Sequence, residues 1–425
     1  MNALIEELRW RGMIQDIMPG TEEQLNKEIT TGYIGFDPTA DSLHIGSMVP
    51  IILLMHLQKA GHKPIALIGG ATGMVGDPSG KSAERNLLDE TTLEKNITGI
   101  KKQLSHFLDF DNGKTNAARL VNNYDWFRQM SFLDFIRDTG KHITVNYMMA
   151  KDSVKNRLEG ESGMSFTEFS YQLVQGYDFL WLFENMDCRL QMGGSDQWGN
   201  IVTGSELIRR KAGGEAFAFT CPLIKKADGG KFGKTETGNV WLDPIRTTPY
   251  QFYQFWLNAT DTDAENWIKI YSFLSRENID ALIHQQKENP ASRTLQKALA
   301  REITIMVHGE EAYDKAIQTT EKLFSGNTTD AEDLDEADLL SIEGIVKLEA
   351  NLIQLNAGWD IINLLAETGI LASKSEARKM LMNNGISINR KKVTVGETIT
   401  GDHLLHYKFL LVQKGKKNYY LVEFS

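Results

Sequence analysis

Two short segments far apart in the chain carry residue types suited to binding a polyphosphate. The first is 37–46, Asp-Pro-Thr-Ala-Asp-Ser-Leu-His-Ile-Gly, and the second is 231–235, Lys-Phe-Gly-Lys-Thr. The first segment predicts a strand end, a turn and a helix start, where unpaired N–H groups favour phosphate oxygens. The second places two lysines beside Gly229 and Gly230, and lysine is a positive charge on a flexible stem. Together the two segments predict a nucleotide site.

Neither segment is specific when it is taken alone. A His-x-Gly triplet such as 44–46 is more often an ordinary turn, and single lysines usually lie on a solvated surface. Residues 76–82 look like a P-loop, but that motif needs four residues between its glycines and this segment has three. No G-x-G-x-x-G follows the first predicted strand. A P-loop ATPase and a dinucleotide dehydrogenase are therefore not supported.

A third group of polar residues is spaced for one face of a helix. Tyr171, Gln175 and Asp178 stand at i, i+4 and i+7, and the capping-box sequence 165–168 precedes them. Polar side chains on a helix that must also pack need partners, either in a buried network or in a ligand. The spacing predicts a binding face, with a structural network as the alternative.

The elements that must position these residues alternate between β-rich and helical segments. Gly61 is expected to end a helix that begins near Gly46. This order is typical of βαβ units, so we expect an α/β protein with a Rossmann-like, doubly wound parallel sheet. The predicted strands are residues 33–36, 64–68, 119–121 and 189–192.

The rest of the chain changes character twice. Residues 248–324 are mainly helical in pattern, and 330–343 contain seven acidic residues and no basic one, which indicates a linker or a solvated helix. We therefore predict a catalytic domain over 1–247, a helical domain over 248–325, an acidic linker over 326–350 and a small α+β RNA-binding domain over 351–425.

Bulk composition excludes several classes of protein. The 425 residues allow two or three domains, and the hydrophobic content of 41% is ordinary for a globular protein. No apolar run approaches the roughly 18 residues of a membrane span, and the first residues do not resemble a signal peptide. Two isolated cysteines, Cys188 and Cys221, argue against a disulfide framework or a multi-cysteine zinc site. We expect a cytoplasmic protein without a structural metal.

The C-terminal part is basic while the remainder is acidic. From Asn351 to Ser425 there are ten Lys and Arg against six Asp and Glu, a net charge of +4, whereas the whole chain carries −10. Residues 375–384 predict a helix, and a hairpin-like stretch follows Gly385. Basic side chains on two adjacent elements suit a phosphate backbone; a chance excess on a solvated face explains the charge equally well. The candidates for RNA contact are Lys374, Arg378, Lys379, Arg390, Lys391 and Lys392.

Six segments in the right order make the chain resemble the bacterial tyrosyl-tRNA synthetase family, within the class I aminoacyl-tRNA synthetases. The pair of polyphosphate segments resembles the HIGH and KMSKS signatures of that class. The resemblance extends along essentially the whole chain, and six matching segments are far more specific than one. They are residues 33–39, 76–81, 122–126, 171–178, 193–200 and 231–235.

The resemblance implies a site for tyrosine. A pocket that hydrogen-bonds a hydroxyl leaves a buried charge unpaired when phenylalanine enters, so it selects tyrosine without an editing domain. The implied tyrosine contacts are Tyr33 and Asp178 at the phenolic hydroxyl, Asp77, Tyr171 and Gln175 at the ammonium, and Gln197 near the carboxylate.

The resemblance also implies an adjacent site for ATP, with Mg²⁺ accompanying the nucleotide. The implied ATP contacts are Asp37, Gly46, Ser47, Gly194, Asp196, Leu223, Ile224 and Lys234. The residues implied in the chemical step are Thr39, His44, Lys81, Arg85, Lys231, Lys234 and Thr235. Ser47 departs from the family, which often has a second histidine there, although a hydroxyl can still bind a ribose.

The implied activity is that of a tyrosine–tRNA ligase. Such an enzyme joins tyrosine to ATP as an adenylate, releases pyrophosphate and transfers tyrosine to the 3′ end of tRNA(Tyr). The family also implies a homodimer. One alternative is a tryptophan-specific relative, which Tyr33 and Asp178 disfavour. The other is a non-catalytic RNA-binding cofactor on a synthetase fold, which Lys231, Lys234 and the polar helix face disfavour.

Overall fold

The structure is a computed structural model, and the parts of the chain that it describes fall into two units. The first unit comprises Met1–Arg246 and Phe255–Val307, and the second Thr247–Gln254 and His308–Ser425. The four-part division drawn from the sequence stays a prediction. The described residues are 2–77, 89–158, 163–230, 232–235, 238–324, 331, 334, 336–341, 345–356, 358–415 and 418–425.

A five-stranded parallel sheet forms the centre of the first unit. Its strands are β1 Thr31–Phe36, β2 Lys63–Ile68, β3 Arg119–Asn122, β4 Cys188–Gly194 and β5 Phe217–Cys221. They lie in the order β3-β2-β1-β4-β5, which confirms the predicted doubly wound sheet. The order reverses at β1, where Tyr33 has Ile65 on one side and Gln191 on the other. Such a reversal leaves a crevice at the carboxyl ends of the strands, where ligands of these folds bind.

Helices surround this sheet and continue through the rest of the chain. Among the described residues, no helix is long and apolar enough to cross a membrane. In chain order the helices are α1 Ala3–Trp10, α2 Thr21–Lys27, α3 Met48–Lys59, α4 Thr72–Val75, α5 Glu90–Phe107, α6 Tyr124–Phe127, α7 Phe132–Asp138, α8 Val145–Met149, α9 Asp152–Leu158, α10 Phe166–Met186, α11 Trp198–Leu207, α12 Pro249–Leu257, α13 Asp261–Tyr271, α14 Arg276–Glu288, α15 Thr294–His308, α16 Glu310–Phe324, α17 Glu336–Ser341, α18 Ile353–Asn356, α19 Ile361–Glu367 and α20 Lys374–Met382.

Two helices matter most for the crevice, and local sequence explains both. Helix α3 is apolar on nearly every side and buried, and the chain leaves it through Gly61 at φ 88°, as predicted. Helix α10 begins with the predicted capping box, in which Ser165 and Glu168 each accept from the other's backbone N–H. The capping box fixes where α10 begins, and α10 carries Tyr171, Gln175 and Asp178.

A second five-stranded sheet lies in the second unit, with strands β8 Val346–Ala350, β10 Ile386–Ile388, β11 Lys391–Lys392, β13 Phe409–Lys414 and β14 Asn418–Phe424. Its order is β11-β10-β13-β14-β8, and helices α19 and α20 share its apolar core. Residues 346–350, which the sequence assigned to the linker, form β8 beside β14. A further two-stranded sheet of this unit pairs β9 Trp359–Asp360 with β12 Thr398–Ile399. The first unit also contains a two-stranded antiparallel hairpin of β6 Lys234–Thr235 and β7 Gly238–Asn239.

Candidate active site

A cavity of about 750 Å³ opens at the carboxyl ends of the first unit's strands. It brings together fifteen residues that the sequence singled out from separate segments. These are Tyr33, Asp37, Thr39, His44, Gly46, Ser47, Asp77, Tyr171, Gln175, Asp178, Gly194, Asp196, Gln197, Leu223 and Ile224. Three further candidates, Lys81, Arg85 and Lys231, lie outside the described residues. Of Lys234 and Thr235 only the backbone is described.

Asp178 forms the buried end of this cavity. Its side chain is 2% exposed, and its two oxygens accept from Trp126 Nε1 at 3.0 Å and from Asn123 Nδ2 at 3.1 Å. Burial raises the pKa of Asp178 to about 8, while these two hydrogen bonds act in the opposite direction. The carboxyl group therefore sits in a low-dielectric pocket that two donors hold in one orientation.

Tyr33 lines the same end and carries an unsatisfied hydroxyl. The residue is 1% exposed, and its hydroxyl has no hydrogen-bond partner among the described residues. Burial raises the pKa of Tyr33, and the nearby charge of Asp178 raises it further. The Oε1 atom of Gln191, which also lines the cavity, is likewise unpartnered there. Buried polar groups normally form hydrogen bonds, so these two atoms indicate that a polar group of a ligand binds at this end of the cavity.

A chain of hydrogen bonds connects Asp178 with the first polyphosphate segment. Asn123 donates to Thr72 Oγ1 at 3.2 Å, and Thr72 donates to Asp37 Oδ1 at 2.7 Å. The hydroxyl of Tyr171 donates to the other Asp37 oxygen at 2.9 Å. A Cβ on Gly69 would lie 2.2 Å from both Asp37 Oδ1 and Thr72 Oγ1. Only glycine fits beside this network.

A second network joins the candidates for the amino-acid backbone. Gln197 Nε2 donates to Asp77 at 2.8 Å and to Asp196 at 3.3 Å. Asn200 Nδ2 donates to Gln175 Oε1 at 3.0 Å and to Gln197 Oε1 at 3.3 Å. Two carboxylates and several amides thus converge on one wall of the cavity, which suits a zwitterionic ligand.

Helix α5 holds the turn that precedes the histidine. Asn96 donates to the carbonyl of Pro38 at 2.9 Å, and Gln103 accepts from the N–H of Leu43 at 2.7 Å. Between them, a Cβ on Gly99 would lie 2.0 Å from the carbonyl oxygen of Asp41. These residues share one helix face, since they stand at i, i+3 and i+7. The turn is therefore braced by the body of the unit.

His44 caps the backbone at the start of the helix that follows. Its Nδ1 accepts from the N–H of Gly46 at 3.0 Å, and a short turn of 3₁₀ helix, Ile45–Ser47, leads into α3. The ring of Trp241 packs edge-on against the imidazole, with the centroids 6.0 Å apart. The start of this helix thus faces the cavity that His44, Gly46 and Ser47 line.

The lysine-bearing segment meets this turn in space. Val240 donates to Gly233 at 3.1 Å and accepts from Ile45 at 3.0 Å. A Cβ on Gly233, which has φ +83°, would lie 3.3 Å from Ile45 Cγ1. Next to it, Phe232 stacks on Tyr271 with the ring centroids 5.5 Å apart. The two segments paired from the sequence are therefore neighbours at one end of the cavity.

Several residues that build the site had no role predicted from the sequence. Asn123 and Trp126 hold Asp178, Thr72 holds Asp37, and Gln191 and Asn200 line or brace the walls. A signal did exist for Asn123, because a polar pair follows directly on the carboxyl end of a predicted strand. Without the register of the sheet, nothing connected it with Asp178.

The basic candidates for RNA contact lie in the second unit. Helix α20 carries Lys374 and Arg378, and the exposed pair Lys391–Lys392 forms β11. Two of these lysines also contact neighbouring residues. Lys374 Nζ lies 3.5 Å from Glu367 Oε1, and Lys392 Nζ donates to the carbonyl of Asn384 at 2.9 Å. Basic groups thus lie on a helix and a short strand of this unit, and their contact with RNA stays a prediction.

Two family models match successive parts of the chain. A family model described as tRNA synthetases class I (W and Y) matches residues 25–325. This chain is a class I tRNA synthetase. A second family model, described as the tyrosine–tRNA ligase SYY-like C-terminal domain, matches residues 346–422 of this synthetase.

Individual relatives resemble this synthetase over its whole length. A tyrosine–tRNA ligase of Porphyromonas gingivalis is 62% identical over 98% of this chain and 99% of its own. A tyrosine–tRNA ligase of Bacteroides thetaiotaomicron is 60% identical with the same coverage. A C-terminally truncated mitochondrial tyrosyl-tRNA synthetase of Aspergillus nidulans is similar in structure, with a TM-score of 0.68 and 30% identity, over 76% of this chain and 95% of that one.

Proposed function

We propose that this synthetase is a tyrosine–tRNA ligase that activates L-tyrosine with ATP. The observation that carries the proposal is the unsatisfied hydroxyl of Tyr33 beside Asp178, at the buried end of a cavity. A phenolic hydroxyl can donate to the Asp178 carboxylate and accept from Tyr33. An indole has no oxygen to complete this arrangement, and phenylalanine has neither donor nor acceptor.

The amino-acid backbone would lie against the second network. We assign the ammonium group to Asp77, Tyr171 and Gln175, and we place Gln197 near the carboxylate. The carboxylates of Asp77 and Asp37 oppose the positive ammonium across the cavity. This arrangement turns the tyrosine carboxylate towards the His44 turn, where the nucleotide is proposed to bind.

The first chemical step is attack of a tyrosine carboxylate oxygen on the α-phosphorus of ATP. The bond from the α-phosphorus to the bridging oxygen breaks, pyrophosphate leaves with that electron pair, and tyrosyl-adenylate remains. No general base is needed, because the carboxylate is already ionised. Catalysis is therefore alignment plus neutralisation of the charge on the leaving pyrophosphate.

The helix start and the lysine-bearing segment would supply that neutralisation. We assign Thr39, His44, Lys81, Arg85, Lys231, Lys234 and Thr235 to the phosphates. The ribose would be bound by Gly194, Asp196 and Ser47, with Asp37 and Gly46 also on the nucleotide and Leu223 and Ile224 beside the adenine. The position of His44 and Gly46 at a helix N-terminus supports this assignment.

Mg²⁺ is proposed to accompany ATP, where it would add positive charge to the phosphates. Oxygen donors suit that ion, and Asp196 lines the cavity on the proposed nucleotide side. In the described ranges no group of three or more His, Cys, Asp or Glu is placed to hold a metal. Its ligands would therefore be chiefly the phosphates and water.

In the second step a ribose hydroxyl at the 3′ end of tRNA(Tyr) attacks the tyrosyl carbonyl, and AMP leaves. Lys374, Arg378, Lys379, Arg390, Lys391 and Lys392 are proposed to grip the RNA away from the reacting end. We also propose that the enzyme works in the cytoplasm, where tRNA is charged for protein synthesis.

Charging of tRNA tests this function. The purified enzyme, ATP, Mg²⁺ and tRNA from a related bacterium are incubated with radiolabelled tyrosine, tryptophan or phenylalanine. We expect acid-precipitable label with tyrosine alone. Label from tryptophan instead would favour the tryptophan-specific alternative, and no label would favour the RNA-binding cofactor.

A homodimer is proposed as the working assembly, as the family resemblance implies. Among its described residues, the segment 132–166 of the first unit exposes seven large apolar side chains, including Leu133 at 76% and Phe166 at 65%. The others are Phe132, Ile136, Val145, Met149 and Leu158. Apolar side chains concentrated in this way mark protein interfaces more often than free surface.

Sedimentation velocity tests the dimer. Leu133→Asp should convert the dimer to a monomer, because a charge would be buried in the contact. Ile245→Asp is the matched control, since Ile245 is 91% exposed outside this segment, and it should leave the dimer intact. A wild-type monomer, or an unaffected Leu133→Asp dimer, would contradict the proposal.

A further inference from the structure

Two tight turns of the second unit contain no glycine. The Asn389–Arg390 turn joins β10 to β11 with φ values of 45° and 66°, and the His406–Tyr407 turn precedes β13 with 50° and 57°. Two-residue hairpin turns with positive φ at both positions strongly favour Asn-Gly and Asp-Gly. Bulky residues are uncommon in this left-handed region. The chain therefore keeps Arg390 and Tyr407 where the backbone alone would prefer a smaller residue.

The second of these turns holds its tyrosine in solvent. Tyr407 is 92% exposed, whereas the ring nitrogen Nε2 of His406 lies 2.6 Å from the carbonyl oxygen of Leu334. Lys408 closes the turn by donating to Leu405 at 3.1 Å, and its ammonium is 2.9 Å from Glu423. Both neighbours of Tyr407 are thus anchored. The backbone of the turn is therefore held in place, while the ring of Tyr407 extends into solvent.

The two turns lie at the same end of the sheet. Asn389 donates its backbone N–H to Leu411 at 2.8 Å, and its side-chain nitrogen donates to His403 at 2.6 Å. Leu411 is two residues along β13 from Phe409, where the Tyr407 turn re-enters the sheet, a rise of about 7 Å. Arg390 and the exposed pair Lys391–Lys392 therefore lie near the end from which Tyr407 projects.

We propose that Tyr407 is a stacking platform for an unpaired nucleotide of the tRNA, with Arg390, Lys391 and Lys392 on the adjoining phosphates. The proposal rests on the proposed function, which supplies tRNA as the ligand. Unpaired bases stack on exposed aromatic rings, and a positive surface beside the ring follows the backbone. The net charge of +4 on this part of the chain supports a polyanionic occupant.

Three variants of the full-length enzyme test the stacking. Tyr407→Asn should raise the KM for tRNA roughly 5- to 100-fold, the range expected for losing one stacked base. Tyr407→Phe and Tyr407→Trp should keep the wild-type KM, because each retains an aromatic face. Tyrosine-dependent ATP–pyrophosphate exchange, which needs no tRNA, should be unchanged in all three.

Thermal unfolding separates stacking from a structural role. Asparagine suits a left-handed turn better than tyrosine, so Tyr407→Asn should unfold at the same or a higher temperature while tRNA affinity falls. A structural role would lower both together. Ile353→Asn is the matched control, since Ile353 is also an exposed apolar residue of this unit, at 71%, and it should leave the KM for tRNA unchanged.

Two results would overturn the proposal. One is a Tyr407→Asn enzyme with a KM for tRNA within twofold of wild type, and the other is a Tyr407→Phe enzyme as impaired as Tyr407→Asn. Failure of the proposed function would look different, because the wild-type enzyme would then show no tyrosine-dependent exchange or charging.

Discussion

The two ends of the cavity in the first unit are built in different ways. At the buried end, Asp178 and Tyr33 are at most 2% exposed, and two side-chain donors fix the carboxyl group. At the other end, backbone dominates: a helix start at Gly46 meets a hairpin through Val240 and Gly233. Desolvated side chains suit recognition of one substrate, while helix-end N–H groups and lysines suit a charge that develops during reaction. We propose that the buried end supplies specificity and the other end supplies catalysis.

Lys234→Ala probes the catalytic end and should have the largest effect. We expect adenylate formation to slow by about 10²–10³-fold, because a charge that stabilises the leaving pyrophosphate is removed. Tyrosine affinity should be unchanged, since the buried end is untouched. Stopped-flow protein fluorescence or quenched-flow measurements give the rate of adenylate formation and the dissociation constant for tyrosine.

A matched control for this variant is Lys226→Ala. Lys226 precedes the same segment but does not line the cavity, so its loss should leave the rate unchanged. If Lys234→Ala reduced the rate and the tyrosine affinity equally, the two ends of the cavity would not have the separate roles proposed for them.

Asp178→Asn probes the buried end of the cavity, which is proposed to recognise tyrosine. Above pH 8, where the Asp178 carboxyl group is ionised, we expect the preference for tyrosine over phenylalanine to fall by about 10–100-fold, since hydrogen bonds to a charged group contribute about 1.5–3 kcal/mol. The rate with saturating tyrosine should change much less. Exchange assays with each amino acid give the ratio of kcat/KM values, and an unchanged ratio would contradict the assignment of Asp178.

The stability of the free protein should also depend on Asp178 through pH. The pKa of this group is raised by burial to about 8, whereas an unfolded aspartate titrates near 4. Between these two pKa values Asp178 is protonated in the folded state and ionised in the unfolded state. Its contribution to the free energy of unfolding therefore falls as pH rises from about 4 to about 8. From pH 6.5 to 8, the free energy of unfolding of wild type should fall by about 2 kcal/mol relative to that of Asp178→Asn. Urea unfolding of both proteins measures this difference, and a relative gain by wild type would contradict it.

Tyr33→Phe should have the smallest effect on binding. Tyrosine affinity should fall by about 2–15-fold, the worth of one neutral hydrogen bond. The free protein should be as stable as wild type or more stable, because an unpartnered buried hydroxyl is removed.

Tyr271 provides the control, since it is fully buried with a hydroxyl that lacks a described partner and it does not line the cavity. Tyr271→Phe should therefore leave tyrosine affinity unchanged, as isothermal titration would show. Equal affinity losses in the two variants would indicate a general packing effect.

The fold was predictable where the pattern of the chain is local. The buried strands near Tyr33 and Ile65, the capping box at Ser165 and the stop at Gly61 all followed from residue type and spacing. Strand β5 was not predicted, because its short buried run, 217–221, has no alternation to distinguish it from other apolar stretches. The pairing of β8 with β14 depends on distant residues, so no local signal placed 346–350 in the sheet.

The site was predictable in its members but not in its connections. The polar face of α10 followed from helical spacing, and the resemblance to a family supplied candidates on other segments. The donors to Asp178 come from another strand end, and the contact of Gly233 with Ile45 joins distant parts of the chain. Such contacts are set by tertiary packing, which residue spacing alone does not specify.

Tyrosine-dependent exchange of labelled pyrophosphate into ATP, without tRNA, tests the central claim most directly. It requires that an amino acid at the Asp178 end and a nucleotide at the His44 end react within one cavity. We expect rapid exchange with tyrosine and little with tryptophan or phenylalanine. No exchange with tyrosine, or equal exchange with all three amino acids, would contradict it.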